Sequence, residues 1–228
     1  MTSINCLANK FGDDDLATLL TAIEGTSVRS LCGLTEGQTV ADFSKQNLKP
    51  IDCKIIAAEF GFRGFIAAIA RLILDENPLT GGHWSDVDKD ITGVTSLCDT
   101  LKTSSVTELG LAKCRLGPGS LGKLAEYVRD AEAALNEVNV AFNQIGSNGG
   151  IALRDAVKTS NLKFLAIGKM YTSIDGTVIT GSQLTTGVTL YAGGRLGELA
   201  KGPNSDFDVK LKWTDTGETS SWMKPVSY

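Results

Sequence analysis

Leu109-Gly110-Leu111-Ala112-Lys113-Cys114-Arg115-Leu116 and Val138-Asn139-Val140-Ala141-Phe142-Asn143-Gln144-Ile145 follow one pattern. It runs apolar, any, apolar, two of any, a small or polar residue, any, apolar. Three further segments share it. They are Ala41-Asp42-Phe43 with Gln46 and Leu48, Leu72-Ile73-Leu74 with Asn77 and Leu79, and Leu165-Ala166-Ile167 with Met170 and Thr172. Between Phe43, Leu74, Leu111, Val140 and Ile167 the spacings are 31, 37, 29 and 27 residues. A recurrence of this length means that one small unit is reused, each copy hiding its apolar flank against the next.

Alternation within each triplet predicts a short strand. In the second, Leu72 and Leu74 point inward, and Ile73 and Asp75 point outward. A sharp turn must follow. Asn77 and Asn143 stand where a side-chain amide can satisfy turn backbone groups that would otherwise be orphaned, and Cys114 occupies the same slot. Pro50, Pro78, Pro118, Gly81, Gly117, Gly119 and Gly146 punctuate these turns. Helical spacing returns in Ile51–Glu59, Asp90–Leu101, Ser120–Asp130 and Gly150–Lys158, each with one apolar face.

This strand–turn–helix pattern resembles the leucine-rich repeat, most closely its ribonuclease-inhibitor-like subclass, over residues 40–172. The resemblance implies an α/β solenoid, with parallel strands on a concave face and helices on the convex one. It also implies a protein-binding scaffold or adaptor within a larger assembly rather than an enzyme. The outward positions predict three columns. The first is Asp42, Ile73, Gly110, Asn139 and Ala166; the second is Ser44, Asp75, Ala112, Ala141 and Gly168. The third is Lys45, Glu76, Lys113, Phe142 and Lys169. Phe142 beside Lys113 and Lys169 is the preferred anchor, because aromatic and cationic residues dominate interface energetics. Asn139, Asp75 and Ile73 complete the candidate partner-binding set, with Trp84 from the enlarged loop Gly81–Asp90. The same subclass includes GTPase-activating proteins, which supplies a regulatory alternative resting on fold analogy.

Both ends of such an array need covering. Asp13-Asp14-Asp15 precedes Leu16–Ile23 as acidic residues favour a helix N-terminus, and Gly25 stops that helix. Ser27–Leu34 and Thr39–Phe43 flank a turn and read as a hairpin, so residues 1–39 form an N-terminal cap. Residues 173–187, rich in Thr, Ser and Gly, read as a linker. Residues 188–228 are all-β in character and resemble a small SH3-like barrel. Val209, Leu211 and Trp213 alternate there with Lys210 and Lys212. In such folds aromatics line peptide grooves, and Tyr191, Trp213, Trp222 and Tyr228 are available.

Composition narrows the function classes. The 228 residues carry a net charge of −4, so counterion-releasing contact with nucleic acid is not expected. No apolar run approaches the roughly 20 residues of a bilayer helix. Five scattered cysteines and one histidine suit no zinc site, and they read as buried hydrophobes in a reducing compartment, the cytoplasm. No cofactor is expected, because neither phosphate-cradling glycine motif occurs. Asp86, Asp88 and Asp90 alternate as a weak cation candidate. A hydrolase would have to rest on His83 alone.

Overall fold

Five three-residue strands, one from each sequence unit, form a single parallel sheet in chain order. They are β1 (Val40–Asp42), β2 (Arg71–Ile73), β3 (Glu108–Gly110), β4 (Glu137–Asn139) and β5 (Phe164–Ala166). The computed structural model describes residues 2–61, 64–83, 86–130, 134–167, 171–172, 178–179, 186–187, 189–192, 195–202 and 209–223. By its contacts the chain divides into two units, 1–165 and 166–228.

In the first unit the register matches the sequence pattern. Ala41 lies opposite Leu72, Leu72 opposite Leu109, and Leu109 opposite Val138. All four are buried, as are Phe43, Leu74, Leu111 and Val140 one step along. The ladder continues through those residues. Phe43 donates to the Ile73 carbonyl at 2.8 Å, Leu74 to Gly110 at 2.8 Å, and Leu111 to Asn139 at 2.7 Å. Each fully buried leucine contributes about 1.5–3 kcal/mol, so this spine is the main source of cohesion.

Helices connect successive strands: α2 (Pro50–Gly61), α3 (Thr92–Leu101), α4 (Pro118–Asp130) and α5 (Gly146–Thr159). They pack in order, α2 on α3, α3 on α4 and α4 on α5. Glycine sets the closeness of approach at the first of these contacts. A Cβ on Gly93 would fall 2.1 Å from the Pro50 carbonyl oxygen, so no side chain fits there.

The turn chemistry is the predicted one. The Asn77 side chain is buried, and its Oδ1 accepts from the Gln46 and Leu48 amides of the preceding turn, both at 3.0 Å. Its Nδ2 donates to the carbonyls of Phe43 at 2.9 Å and Leu74 at 2.8 Å. Asn143 repeats the device. It accepts from Cys114 and Leu116 and donates to Leu111 and Val140. Cys114 fills the slot as a weaker donor, its Sγ lying 3.1 Å from the Leu74 oxygen. One side chain thereby satisfies backbone groups in two successive turns.

The enlarged loop is also explained by satisfaction of backbone donors. Asp88 reaches the start of α4, where its carboxylate accepts from the amides of Gly117 at 2.9 Å, Gly119 at 2.7 Å and Ser120 at 3.2 Å. The Ser120 hydroxyl adds a bond at 2.5 Å. Asp90 accepts from the Thr92 amide at 2.9 Å at the start of α3. These aspartates are therefore helix caps, and the loop between two strands braces the next helix.

The N-terminal region differs from expectation. Helix α1 (Asp13–Ile23) is present, and Gly25 past its end has φ of +71°. The predicted hairpin between Ser27–Leu34 and Thr39–Phe43 does not form. Ser30 pairs instead with Ser3, and Cys32 with Asn5. Beyond the turn, the Thr39 carbonyl accepts from Ala70 and Arg71, so that segment joins the parallel sheet. The buried Glu59 of α2 accepts the Leu31 amide at 2.9 Å and anchors the 28–34 segment from below.

The second unit is an antiparallel sheet of β6 (Tyr171–Thr172), β7 (Val178–Ile179), β8 (Thr189–Ala192), β9 (Arg195–Lys201) and β10 (Lys210–Trp213). Its strand order is β10-β9-β8-β6-β7, so the described strands form an open sheet and not the expected closed SH3-like barrel. Glu218–Met223 returns along the far side of β10, with bridges from Thr219 to Lys212 and from Met223 to Val209. β6 and β7 arise from residues assigned by sequence to the last repeat and the linker. Their Thr, Val and Ile are strand formers, and the surrounding Thr-Ser-Gly composition hid them. Leu190, Leu199, Val209 and Leu211 make a small core, with Trp213 and Met223 packed against it.

Among the described residues no helix is long and apolar enough to cross a membrane.

Candidate partner-binding face

The predicted outward rows are present in part: Ala166 of the first and Ala141 of the second are buried instead. Asp42, Ile73, Gly110 and Asn139 are register partners across β1 to β4. A row at the opposite strand ends comprises Val40, Arg71, Glu108 and Glu137, with an Arg71–Glu108 ion pair at 3.0 Å. Sequence reading missed this second row because it began each strand one residue late.

The third row sits in the turns. Lys45, Glu76, Lys113 and Phe142 all adopt left-handed backbone, with φ of 58°, 60°, 55° and 59°. For non-glycine residues that conformation costs on the order of 1 kcal/mol, and for the last three it stands next to the hydrogen-bonded Asn77, Cys114 and Asn143 slots. The repeated conformation sends four side chains the same way. Glu76 lies between two lysines, 3.5 Å from Lys45 and 3.8 Å from Lys113. The Lys113 ammonium also sits 5.5 Å from the centre of the Phe142 ring, a cation–π contact. Phe142 is 47% exposed. Glu76 was absent from the candidate set, although its position between two lysines in the third column was a usable signal.

The remaining candidates are partly committed. Asp75 accepts the Ala112 amide at 2.8 Å, and burial holds its carboxyl above the ordinary range. The lack of a side chain at Gly110 makes this possible, since a Cβ there would lie 2.9 Å from Asp75 Oδ1. Asn139 accepts the Ala141 amide at 3.0 Å, and Ile73 is half-buried. Asp42 lies at the edge of the face, its carboxyl lowered chiefly by the Ser44 amide at 2.9 Å. Lys169 and Trp84 lie outside the described residues. His83 is exposed, and its carbonyl accepts the Asp86 amide at 2.9 Å.

The cysteines carry no exposed thiol chemistry. All five are free and buried, and burial pushes Cys98 and Cys114 up to about 12. In the second unit, Trp213 lies under Arg195, whose guanidinium carbon is 4.4 Å from the ring centre. Trp222 is exposed. Tyr228 and the side chain of Tyr191 lie outside the described residues.

No protein-family model matches the chain, and no curated protein matches it.

Proposed function

We propose that the chain is a non-catalytic protein-binding scaffold of the leucine-rich-repeat, ribonuclease-inhibitor-like kind, with the outward face of its five-stranded parallel sheet as the partner surface. The observation that carries this reading is the Phe142 ring, 47% exposed with the Lys113 ammonium against it. Aromatic side chains are enriched at the buried centres of protein interfaces. The recurring Asn or Cys turn slot and the chain-order parallel pairing support the repeat class and a solenoid arrangement.

Five free buried thiols suit a reducing compartment, for which the cytoplasm is the natural candidate. The test is affinity capture from the native source with the wild-type chain and with a Phe142→Ala, Lys113→Glu, Lys169→Glu variant. Loss of the hot-spot pair is expected to weaken capture by about thirtyfold, since such anchors contribute about 2 kcal/mol or more. Undiminished capture by a folded variant overturns the assignment of this face.

A further inference from the structure

In the second unit, Lys201 at the end of β9 and Lys210 at the start of β10 are register partners directly across the antiparallel pair. Like charges in that relation destabilise a sheet. Among the described residues neither lysine has a carboxylate within ion-pair reach. Both instead lie against one indole. The Lys201 ammonium is 5.7 Å and the Lys210 ammonium 5.3 Å from the centre of the Trp222 ring. Trp222 is itself 39% exposed. The register shifts between Lys210 and Leu211, an irregularity of the kind that re-aims a side chain.

We infer that Trp222, Lys201 and Lys210 form a docking site for an acidic polypeptide segment. The inference rests on reading the chain as a protein-binding module. Charge complementarity selects the occupant. Among the described residues no carboxylate relieves the repulsion between these two ammonium groups, and adjacent carboxylates on an extended peptide would supply one. A peptide carboxylate binds each ammonium from outside and leaves the cation–π contacts in place. Nucleobase stacking would have to displace the ammonium groups from the ring, and a single tryptophan offers no succession of stacking platforms.

The full chain is titrated into fluorescein-labelled oligoglutamate and, separately, labelled oligothymidylate, with anisotropy as the readout. Oligoglutamate binding is expected at low ionic strength and is expected to weaken as salt is added. Lys201→Glu with Lys210→Glu should reduce affinity by at least about tenfold. Trp222→Ala should weaken it, whereas Trp222→Phe, which keeps an aromatic platform and the local packing, should retain most of it. Lys158→Glu, an exposed charge reversal on α5, should have no effect. Absence of oligoglutamate binding, binding indifferent to the lysine reversals, or tighter binding of oligothymidylate overturns the inference. Capture of a partner through the Phe142 face is scored in a separate experiment, so failure of either surface is distinguishable from failure of the other.

Discussion

Replacing Asn77 by alanine should be among the most damaging single polar changes in the first unit. The substitution strips the acceptor from two amides, Gln46 and Leu48, and the donor from the carbonyls of Phe43 and Leu74. Asn77 is 1% exposed, so water does not reach the vacated groups without opening the turn. Two orphaned amides at about 1–2 kcal/mol each, with a smaller contribution from the carbonyls, amount to about 3–5 kcal/mol. For a domain of this size each kcal/mol moves Tm by about 2–4 °C, so a fall of about 10 °C is expected. Asn143→Ala removes the same set of bonds at a half-buried site, where water substitutes more readily. Its fall should be less than half as large. Thermal circular dichroism measures both, and amide hydrogen exchange should show Gln46 and Leu48 losing protection in Asn77→Ala specifically. Equal shifts for the two variants, or protection retained at Gln46 and Leu48, would refute the argument that this side chain holds the preceding turn.

Five other outcomes are expected. Gly93→Ala should destabilise by about 2 kcal/mol or more, because its Cβ meets the Pro50 carbonyl. Gly122→Ala in α4, where nothing lies within 4 Å, should instead stabilise by about 0.5–1 kcal/mol through helix propensity; urea midpoints compare the pair. Asp88→Ala uncaps α4 and should cost about 1–2 kcal/mol by the same measurement. Burial raises the folded-state Asp75 carboxyl, so ionisation at neutral pH costs more in the folded than in the unfolded chain. Asp75→Asn, which keeps an acceptor for Ala112, should therefore raise Tm at neutral pH, and the gain should vanish below the ordinary carboxylate range where both side chains are uncharged. Finally, the folded chain should resist thiol reagents at pH 8, with Cys98 and Cys114 reacting only at the rate of unfolding.

The strand triplets, their register and the Asn turns were legible because each follows from a local rule with a period. Alternation marks the buried side of a strand, and an Asn at a fixed distance marks a turn with orphaned donors. The third column was legible for the same reason, and the pairing of Lys113 with Phe142 follows from it. The N-terminal pairing was not legible. Nothing in Ser27–Leu34 distinguishes Thr39–Phe43 as a partner from Ile4–Cys6, since both choices satisfy the same backbone groups. Asp88 as the cap of α4 was hidden as well. Its partners lie about thirty residues ahead, and the alternating aspartates suggested at most a weak cation site. In the second unit the short β6 and β7 carry too few side chains to show a period, so the boundary between repeats and sheet was set too late. The Trp222 cluster depends on a cross-strand register that no single strand records.

The Asn device runs in one direction along the chain. The amides of one turn are met by a side chain encoded 27 to 31 residues later. During synthesis, a turn that has left the ribosome must therefore wait for most of the following unit before its donors are filled. Biosynthetic closure trails the growing end by a full module. A nascent chain halted just before Asn77 would present its first turn open to chaperones and proteases, and emergence of that one residue would shut it.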